Sequence, residues 1–219
     1  MVYRPVAAGA ALALLAIALA PTARAQAGAC AAWQIEYALA GNLCLEDTPF
    51  GQGDGVYAVG PGRAVVRFED RDGQPGGAAT LRSYELREHF TVTSKALLWT
   101  TTVVTDATTR AGPEQGGVIA TGVLRRTTLE WSTPVVGYRT DGTLTCEGQL
   151  CGKFGAPPPG RSELHIGPAQ VTFGSFELAR DLQTFAMAST LVSKTDAPRQ
   201  TAHLALSGRE TSRQCIPAR

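Results

Sequence analysis

Glu88 is the acidic residue whose position in this sequence is most unusual. If residues 80–93 form a β-strand, alternation places an otherwise apolar set of side chains on the Glu88 face, namely Tyr84, Leu86, Phe90 and Val92. A carboxylate on an apolar face must be paired or must lie in a cavity, because burying an isolated charge is costly. Three interpretations follow: an ion pair with an arginine from a neighbouring strand, a bulge that turns Glu88 outward, or a polar anchor inside a ligand pocket.

Aromatic residues would complete a ligand pocket around Glu88. The sequence offers Tyr84 on the same strand, and Trp99 and Trp131 on neighbouring predicted strands. Tryptophan side chains stack on sugars and apolar ligands, but a tryptophan on a strand more often packs in the core or at a sheet edge. We therefore predict a ligand site of Glu88, Tyr84, Trp99 and Trp131, with core packing as the alternative for the two tryptophans.

The sequence contains no motif for nucleophilic catalysis. It has neither a Gly-x-Ser-x-Gly elbow nor a Ser-x-x-Lys box. The three histidines, His89, His165 and His203, fall on polar faces of predicted strands. No catalytic residue is predicted from these patterns.

Paired carboxylates are the one enzymatic alternative. A secreted glycan hydrolase needs two acids roughly 5 to 9.5 Å apart. Glu85 and Glu88 are three residues apart and so point to opposite faces of a strand. Under this hypothesis, Glu88 would need a second acid supplied by a facing strand.

Metal and cofactor motifs are incomplete in this sequence. The segment 70–73 (Asp-Arg-Asp-Gly) starts like a calcium loop, but Gln74 and Pro75 replace the next ligand and the required glycine. The segment is more typical of a solvated hairpin turn. Cys146 and Cys151 lack the second cysteine or histidine pair that structural zinc requires. The sequence predicts no metal and no cofactor.

Five cysteines indicate disulfide bonds if the chain is exported. A short polar loop, Glu-Gly-Gln-Leu, separates Cys146 from Cys151, and we predict that these two are bonded. One further bond is predicted among Cys30, Cys44 and Cys215, with connectivity left open because sequence alone does not determine it. The odd cysteine is either a free thiol or, if it is Cys30, a lipidation site.

Residues 1–25 have the pattern of a cleaved signal peptide. Arg4 precedes an uninterrupted apolar run over 6–20, and Ala23-Arg24-Ala25 is a small-x-small cleavage site. The run is shorter than the roughly 20 residues that span a bilayer, so we predict no membrane span. The expected product is residues 26–219, exported to the periplasm or the extracellular space.

Composition and charge exclude several classes of protein. The 44% hydrophobic and 18% charged content is that of a globular domain and not of a disordered chain. Basic and acidic residues nearly balance, at 20 against 19, so the chain lacks the electrostatic footprint of a nucleic-acid-binding protein. Arginine far outnumbers lysine and Asn42 is the only asparagine, a bias typical of GC-rich bacterial genomes.

Alternation with a period of two dominates residues 26–219 and predicts an all-β fold. The predicted strands are 33–39, 56–59, 64–69, 80–93, 96–108, 117–131, 135–140, 143–146, 163–166, 170–177, 182–193 and 201–207. Turns are expected at Gly41-Asn42 and, most clearly, at Asp141-Gly142. Several strands are long, which favours a single antiparallel β-barrel or curved β-sandwich of roughly 10–12 strands.

Three functions are compatible with these patterns. The first is a non-enzymatic exported β-domain that binds a small ligand or a surface partner. The second is the glycan hydrolase with paired carboxylates. The third is a structural or surface-assembly module that uses the loop 153–161 or an exposed strand edge.

Overall fold

A computed structural model describes residues 30–46, 54–96, 98–112, 117–132, 135–153, 156–192 and 201–218. These residues form ten strands: β1 Cys30–Glu46, β2 Gly55–Arg71, β3 Gln74–Ala96, β4 Trp99–Ala111, β5 Ala120–Arg125, β6 Thr128–Trp131, β7 Val135–Gly148, β8 Gly160–Leu178, β9 Thr184–Val192 and β10 Thr201–Pro217. The predicted all-β class is confirmed. The predicted signal peptide, residues 1–25, lies outside the described residues.

All strands belong to one antiparallel sheet that closes into a partial ring. The order is β2-β1-β10-β9-β8-β6-β5-β3-β4-β7, and additional pairings join β2 to β3 and β8 to β7. The first and last described strands, β1 and β10, pair along their whole length, from Cys30↔Pro217 to Glu46↔Thr201. The sheet therefore turns back on itself, and one of its faces becomes a shared core face.

β3 and β8 are long because each pairs with two different strands along one edge. The first half of β3 pairs with β5 and its second half with β4. In the same way, β8 pairs with β7 over its first part and with β6 near its end. The β5–β6 hairpin therefore lies between β3 and β8 in one part of the sheet, and the β4–β7 pair lies between the same two strands in another part.

The core face is filled by large apolar and aromatic side chains. Phe176 is at the centre: its ring stacks on Phe185 at 4.4 Å and meets the edge of Trp131 at 5.0 Å between centroids. Tyr37 packs against Phe185 and donates a hydrogen bond to the carbonyl of Leu182, at 2.9 Å. Aromatic pairs in these geometries add to the stabilisation from apolar burial.

Two predicted turns are wrong, because the strands continue through them. β1 passes through Gly41-Asn42 and β7 passes through Asp141-Gly142. At both glycines a Cβ would collide with the backbone of the neighbouring strand, β10 beside Gly41 and β4 beside Gly142. These glycines permit a close approach of two backbones within the sheet, which is the other common use of glycine in a strand.

The turn at 70–73 is a hairpin, as the sequence predicts. Arg71 pairs with Gln74, and the two residues between them, Asp72 and Gly73, have φ values of 54° and 82°. Positive φ at both central positions is typical of the tight turns whose twist matches that of β-hairpins. The Gly73 amide donates to the Asp70 carboxylate at 3.2 Å, so this carboxylate stabilises the turn.

Two disulfide bonds are present. Cys146 bonds to Cys151, which we call the short-range disulfide, and Cys30 bonds to Cys215, the long-range disulfide. Cys44 is the free thiol among the described cysteines. Within the described ranges, no helix is both long and apolar enough to cross a membrane.

Candidate functional site

Glu88 lies on the core face of β3, as its spacing predicts. The alternate residues Tyr84 and Leu86 are buried, whereas Arg87 and His89 on either side of Glu88 are exposed. No outward bulge occurs at Glu88, because its pairing with β4 is regular from Tyr84↔Ala111 to Ala96↔Trp99. The carboxylate is therefore half-buried on an apolar face.

A chain of hydroxyl groups leads from Glu88 across the neighbouring strands. The Thr109 hydroxyl on β4 donates to the Glu88 carboxylate at 2.6 Å. Thr109 Oγ1 also lies 2.5 Å from the hydroxyl of Thr140 on β7. Because Thr109 donates its one proton to Glu88, Thr140 must be the donor in the second bond. Both threonines are buried, so this chain is shielded from water.

Burial raises the pKa of the Glu88 carboxyl above its ordinary value of 4.5, and the hydrogen bond from Thr109 opposes that shift. Two tyrosines respond to the same carboxylate. Burial, and then the negative charge of Glu88, raise the pKa values of Tyr84 and Tyr138. Tyr84 and Tyr138 lie in one row across β3, β4 and β7, through Ala111, four residues along β3 from Glu88 and on the same face. We call Glu88, Thr109, Thr140, Tyr84 and Tyr138 the Glu88 cluster.

The carboxylate in this cluster has no cationic partner among the described residues. Neither the ion pairs nor the causes of the raised Glu88 pKa include an arginine or a lysine. The predicted ion pair and the predicted bulge are therefore both absent from this part of the chain. The interpretation of Glu88 as a polar anchor for a ligand stays a prediction.

A second carboxylate is not found beside Glu88 in the described part of the sheet. Glu85 points the other way and pairs with Arg110 at 3.1 Å. Asp106, Asp141 and Glu163 also lie outward, where they contact histidines. The hydrolase hypothesis thus stays a prediction without its second acid.

Small residues flank Glu88 on the core face. Glu88 pairs with Ala107, Ala107 pairs with Gly142, and Gly142 pairs with Leu164. Ala107 has only a methyl side chain and Gly142 has none. Few side-chain atoms therefore cover the sheet beside the Glu88 carboxylate.

The structure brings together only part of the predicted aromatic wall. Tyr84 is in the cluster and packs edge-on against Phe173 at 5.2 Å. Trp131 is buried on β6 against Phe176. Trp99 starts β4, eight residues before Ala107 and therefore about 26 Å along the strand from the Glu88 row. Trp131 thus packs in the core, and Trp99 is a surface residue far along β4 from the Glu88 row.

Thr109, Thr140 and Tyr138 were not predicted as site residues. Four threonines, Thr101, Thr105, Thr109 and Thr140, are buried, although threonine in a strand is common on a solvated face. A signal was present, because threonines recur at every fourth position, 101, 105 and 109, on one face of the strand. A strand with threonine on one face needs partners for those hydroxyls, and Glu88 is the partner of one.

Two further polar clusters lie on the outer face. His165 contacts Asp141 at 2.9 Å and Glu163 at 3.2 Å, and these hydrogen bonds raise its pKa. His203 pairs with the free Cys44 across β1 and β10 and lies 3.5 Å from the Glu46 carboxylate. In the described residues, no group of three or more His, Cys, Asp or Glu side chains is arranged to hold a metal ion.

Two open depressions lie beside β1, β9 and β10. One is lined by apolar groups that include Leu39, Pro61 and Phe185, and another by polar groups that include Gln183 and Glu210. Neither includes a residue of the Glu88 cluster. No protein-family model matches this chain, and no curated protein or solved structure is significantly similar to it.

Proposed function

We propose that this protein is a non-enzymatic binding protein whose ligand presents an ammonium group to Glu88. The observation that carries the proposal is a half-buried carboxylate with no cationic partner among the described residues. A buried carboxylate is costly unless its charge and its lone pairs are satisfied. A ligand cation would supply the missing partner.

The surroundings of Glu88 favour a ligand with one polar end and an apolar body. Among the described residues, Thr109 donates a hydrogen bond to the carboxylate, although a carboxylate has room for about four. Leu86 and Phe90 flank it on the core face, and Tyr57 packs on Phe90 at 5.0 Å between ring centroids. An alkylammonium ion combines the charge and the apolar surface that this environment would accept.

We infer further that the sheet is barrel-like at one end and sandwich-like at the other. The β2–β3 pairing runs only from Gly62↔Leu86 to Arg71↔Gln74, and β8–β9 pairing only from Val171↔Leu191 to Leu178↔Phe185. Beyond these limits, β3-β4-β7-β8 would face β2-β1-β10-β9 without hydrogen bonds at the seams. Glu88 lies just past the seam on β3, so a ligand would enter there.

Export of residues 26–219 after removal of 1–25 is part of the same proposal. The leader pattern supports it, and the two disulfide bonds are compatible with an oxidising compartment. In such a compartment the two disulfides would persist and stabilise the sheet.

The test compares n-hexylammonium with n-hexanol, two probes of equal length that differ in charge. Binding is measured by calorimetry at pH 6 and pH 8 on the protein and on two variants, Glu88→Gln and Glu85→Gln. We expect n-hexylammonium to bind more tightly than n-hexanol, and more tightly at pH 8, where more Glu88 is ionised. Glu88→Gln should remove this preference and Glu85→Gln, on the outer face, should retain it.

Equal binding of both probes, or equal binding by Glu88→Gln and the unmodified protein, would reject the proposal. Native mass spectrometry of the protein from an exporting host adds a second test. A reproducible mass that is released on denaturation would identify the natural ligand. Discrete oligomers without a bound small molecule would favour the surface-assembly hypothesis instead.

A further inference from the structure

The β3–β4 hairpin ends in an apolar tip. Leu98 in the turn is 95% exposed and Trp99 at the start of β4 is 47% exposed. Leu98 is the most exposed of the large hydrophobic residues in the described chain. Single exposed apolar residues are ordinary, but adjacent exposed leucine and tryptophan side chains at the end of a hairpin form a small apolar patch.

The tip is held in place by the loop that follows β7. The Thr100 amide donates to the Gln149 side-chain carbonyl at 3.3 Å, and the Leu150 amide donates to the Thr101 hydroxyl at 3.0 Å. The short-range disulfide closes that loop next to these contacts. The apolar side chains are thus presented on an ordered support, which lowers the entropy lost when they bind a partner.

Two lysines lie at the tip. Lys153 Nζ lies 5.6 Å from the centre of the Trp99 ring, and Lys95 is exposed one residue before the end of β3. Arg161 is exposed on β8, and the acidic residue on the adjacent strand is Glu147. Two of the three lysines of the chain thus lie at the tip. Most of the described charged residues at the tip are cationic.

We propose that this tip, defined as Lys95, Leu98, Trp99 and Lys153, docks on the surface of an anionic lipid bilayer. Leu98 would enter the acyl boundary, Trp99 would lie at the level of the headgroups, and the two lysines would contact lipid phosphates. Tryptophan prefers the membrane interface, and lysine extends its charge toward headgroups while its stem covers apolar surface. Each lysine near an anionic surface adds a further attraction.

Charge complementarity favours a bilayer over a protein groove as the partner. A lipid surface accepts a small projecting apolar group without a matching pocket and rewards each cation next to it. The binding is expected to be weak and reversible, because one leucine and one tryptophan bury little surface compared with a membrane-spanning helix. This inference is independent of the Glu88 cluster, which lies at the other end of β4.

The experiment measures co-sedimentation with vesicles of phosphatidylcholine alone and of phosphatidylcholine mixed with phosphatidylglycerol. Leu98→Ser should weaken binding to the mixed vesicles about tenfold, since a buried leucine side chain contributes at that scale. Lys153→Gln should weaken it about fivefold. The matched controls are Val135→Ser, an exposed apolar residue at the far end of β7, and Arg87→Gln, an exposed cation on β3.

All variants share the same N-terminus, so any contribution of residues 1–25 cancels in the comparison. Trp99 also serves as a reporter, since its fluorescence should shift to shorter wavelength with mixed vesicles, and Trp99→Phe should remove that shift. Circular dichroism of each variant checks that the fold is intact. No binding, equal binding to neutral vesicles, or equal losses in Val135→Ser and Leu98→Ser would overturn the proposal.

Discussion

Replacing Glu88 by glutamine is expected to stabilise the protein at neutral pH. Burial raises the pKa of this carboxyl above 4.5, so the folded protein favours the protonated acid more than the unfolded chain does. As pH rises from 4.5 through the folded pKa, the unfolded chain loses its proton first and folding becomes less favourable. Glutamine keeps the shape and the acceptor for Thr109 but carries no charge, so the variant avoids this loss.

The magnitude follows from proton linkage. One proton that is bound in the folded state but not in the unfolded state changes the free energy of unfolding by at most about 1.4 kcal/mol per pH unit. The gain in Glu88→Gln therefore grows at up to this slope above pH 4.5 and levels off above the folded pKa. Below pH 4.5 both states are protonated, and the two proteins should have similar stability.

Urea unfolding at a series of pH values measures this difference. Subtracting the two curves removes the titration of all other groups, provided that the sites are independent. Glu85→Gln is the control on the same strand, where we expect a difference near zero because an exposed ion pair contributes little. A difference curve that is flat, or that falls as pH rises, would refute the assignment of Glu88 as a destabilised buried carboxyl.

Three other variants test separate parts of the structure. Gly208→Ala should lower stability by about 1–3 kcal/mol in urea unfolding, because its Cβ would overlap the Phe185 ring, whereas Gly76→Ala meets only a flexible side chain and should cost less. Removing the long-range disulfide, which closes a separation of 185 residues, should lower the free energy of unfolding by about 5 kcal/mol in the loop-entropy model. Removing the short-range disulfide, with a separation of 5, should lower it by about 2 kcal/mol. Equal losses would contradict that model. The NMR titration midpoint of His165 should lie above pH 6.5, because its hydrogen bond to the Asp141 carboxylate is the largest cause of its raised pKa. In Asp141→Asn the midpoint should fall. An unchanged midpoint would show that this hydrogen bond is not formed in solution.

Alternation was sufficient to predict the strand class and the face of Glu88. The side-chain period of a strand is fixed at two, so local sequence determines which residues share a face. It does not determine what the next strand places beside them. Thr109 and Thr140 reach Glu88 only through the pairing of β3 with β4 and of β4 with β7, and this register is set by the whole sheet.

The glycine positions explain the errors in strand boundaries. Gly142 follows an aspartate between two threonine-rich runs, which is a strong local signal for a hairpin. The structure uses the missing side chain for a close approach of β7 to Ala107 on β4. Asp72-Gly73 has the same dipeptide and is a real turn. Packing against the neighbouring strand determines which Asp-Gly pair forms a turn, and the local sequence does not specify that packing.

The pairing of β1 with β10 has a consequence for the order of folding. Residues 30–46 are synthesised before the other strands of the described sheet, but their partner along one edge comes from residues 201–217. Until those residues emerge, the nascent chain presents an unpaired strand edge beside an apolar face, and such edges promote association between chains. The slow search for distant partners extends that interval. The long-range disulfide therefore forms only when the first and last strands have met, and its presence would distinguish chains that have closed the ring from those that have not.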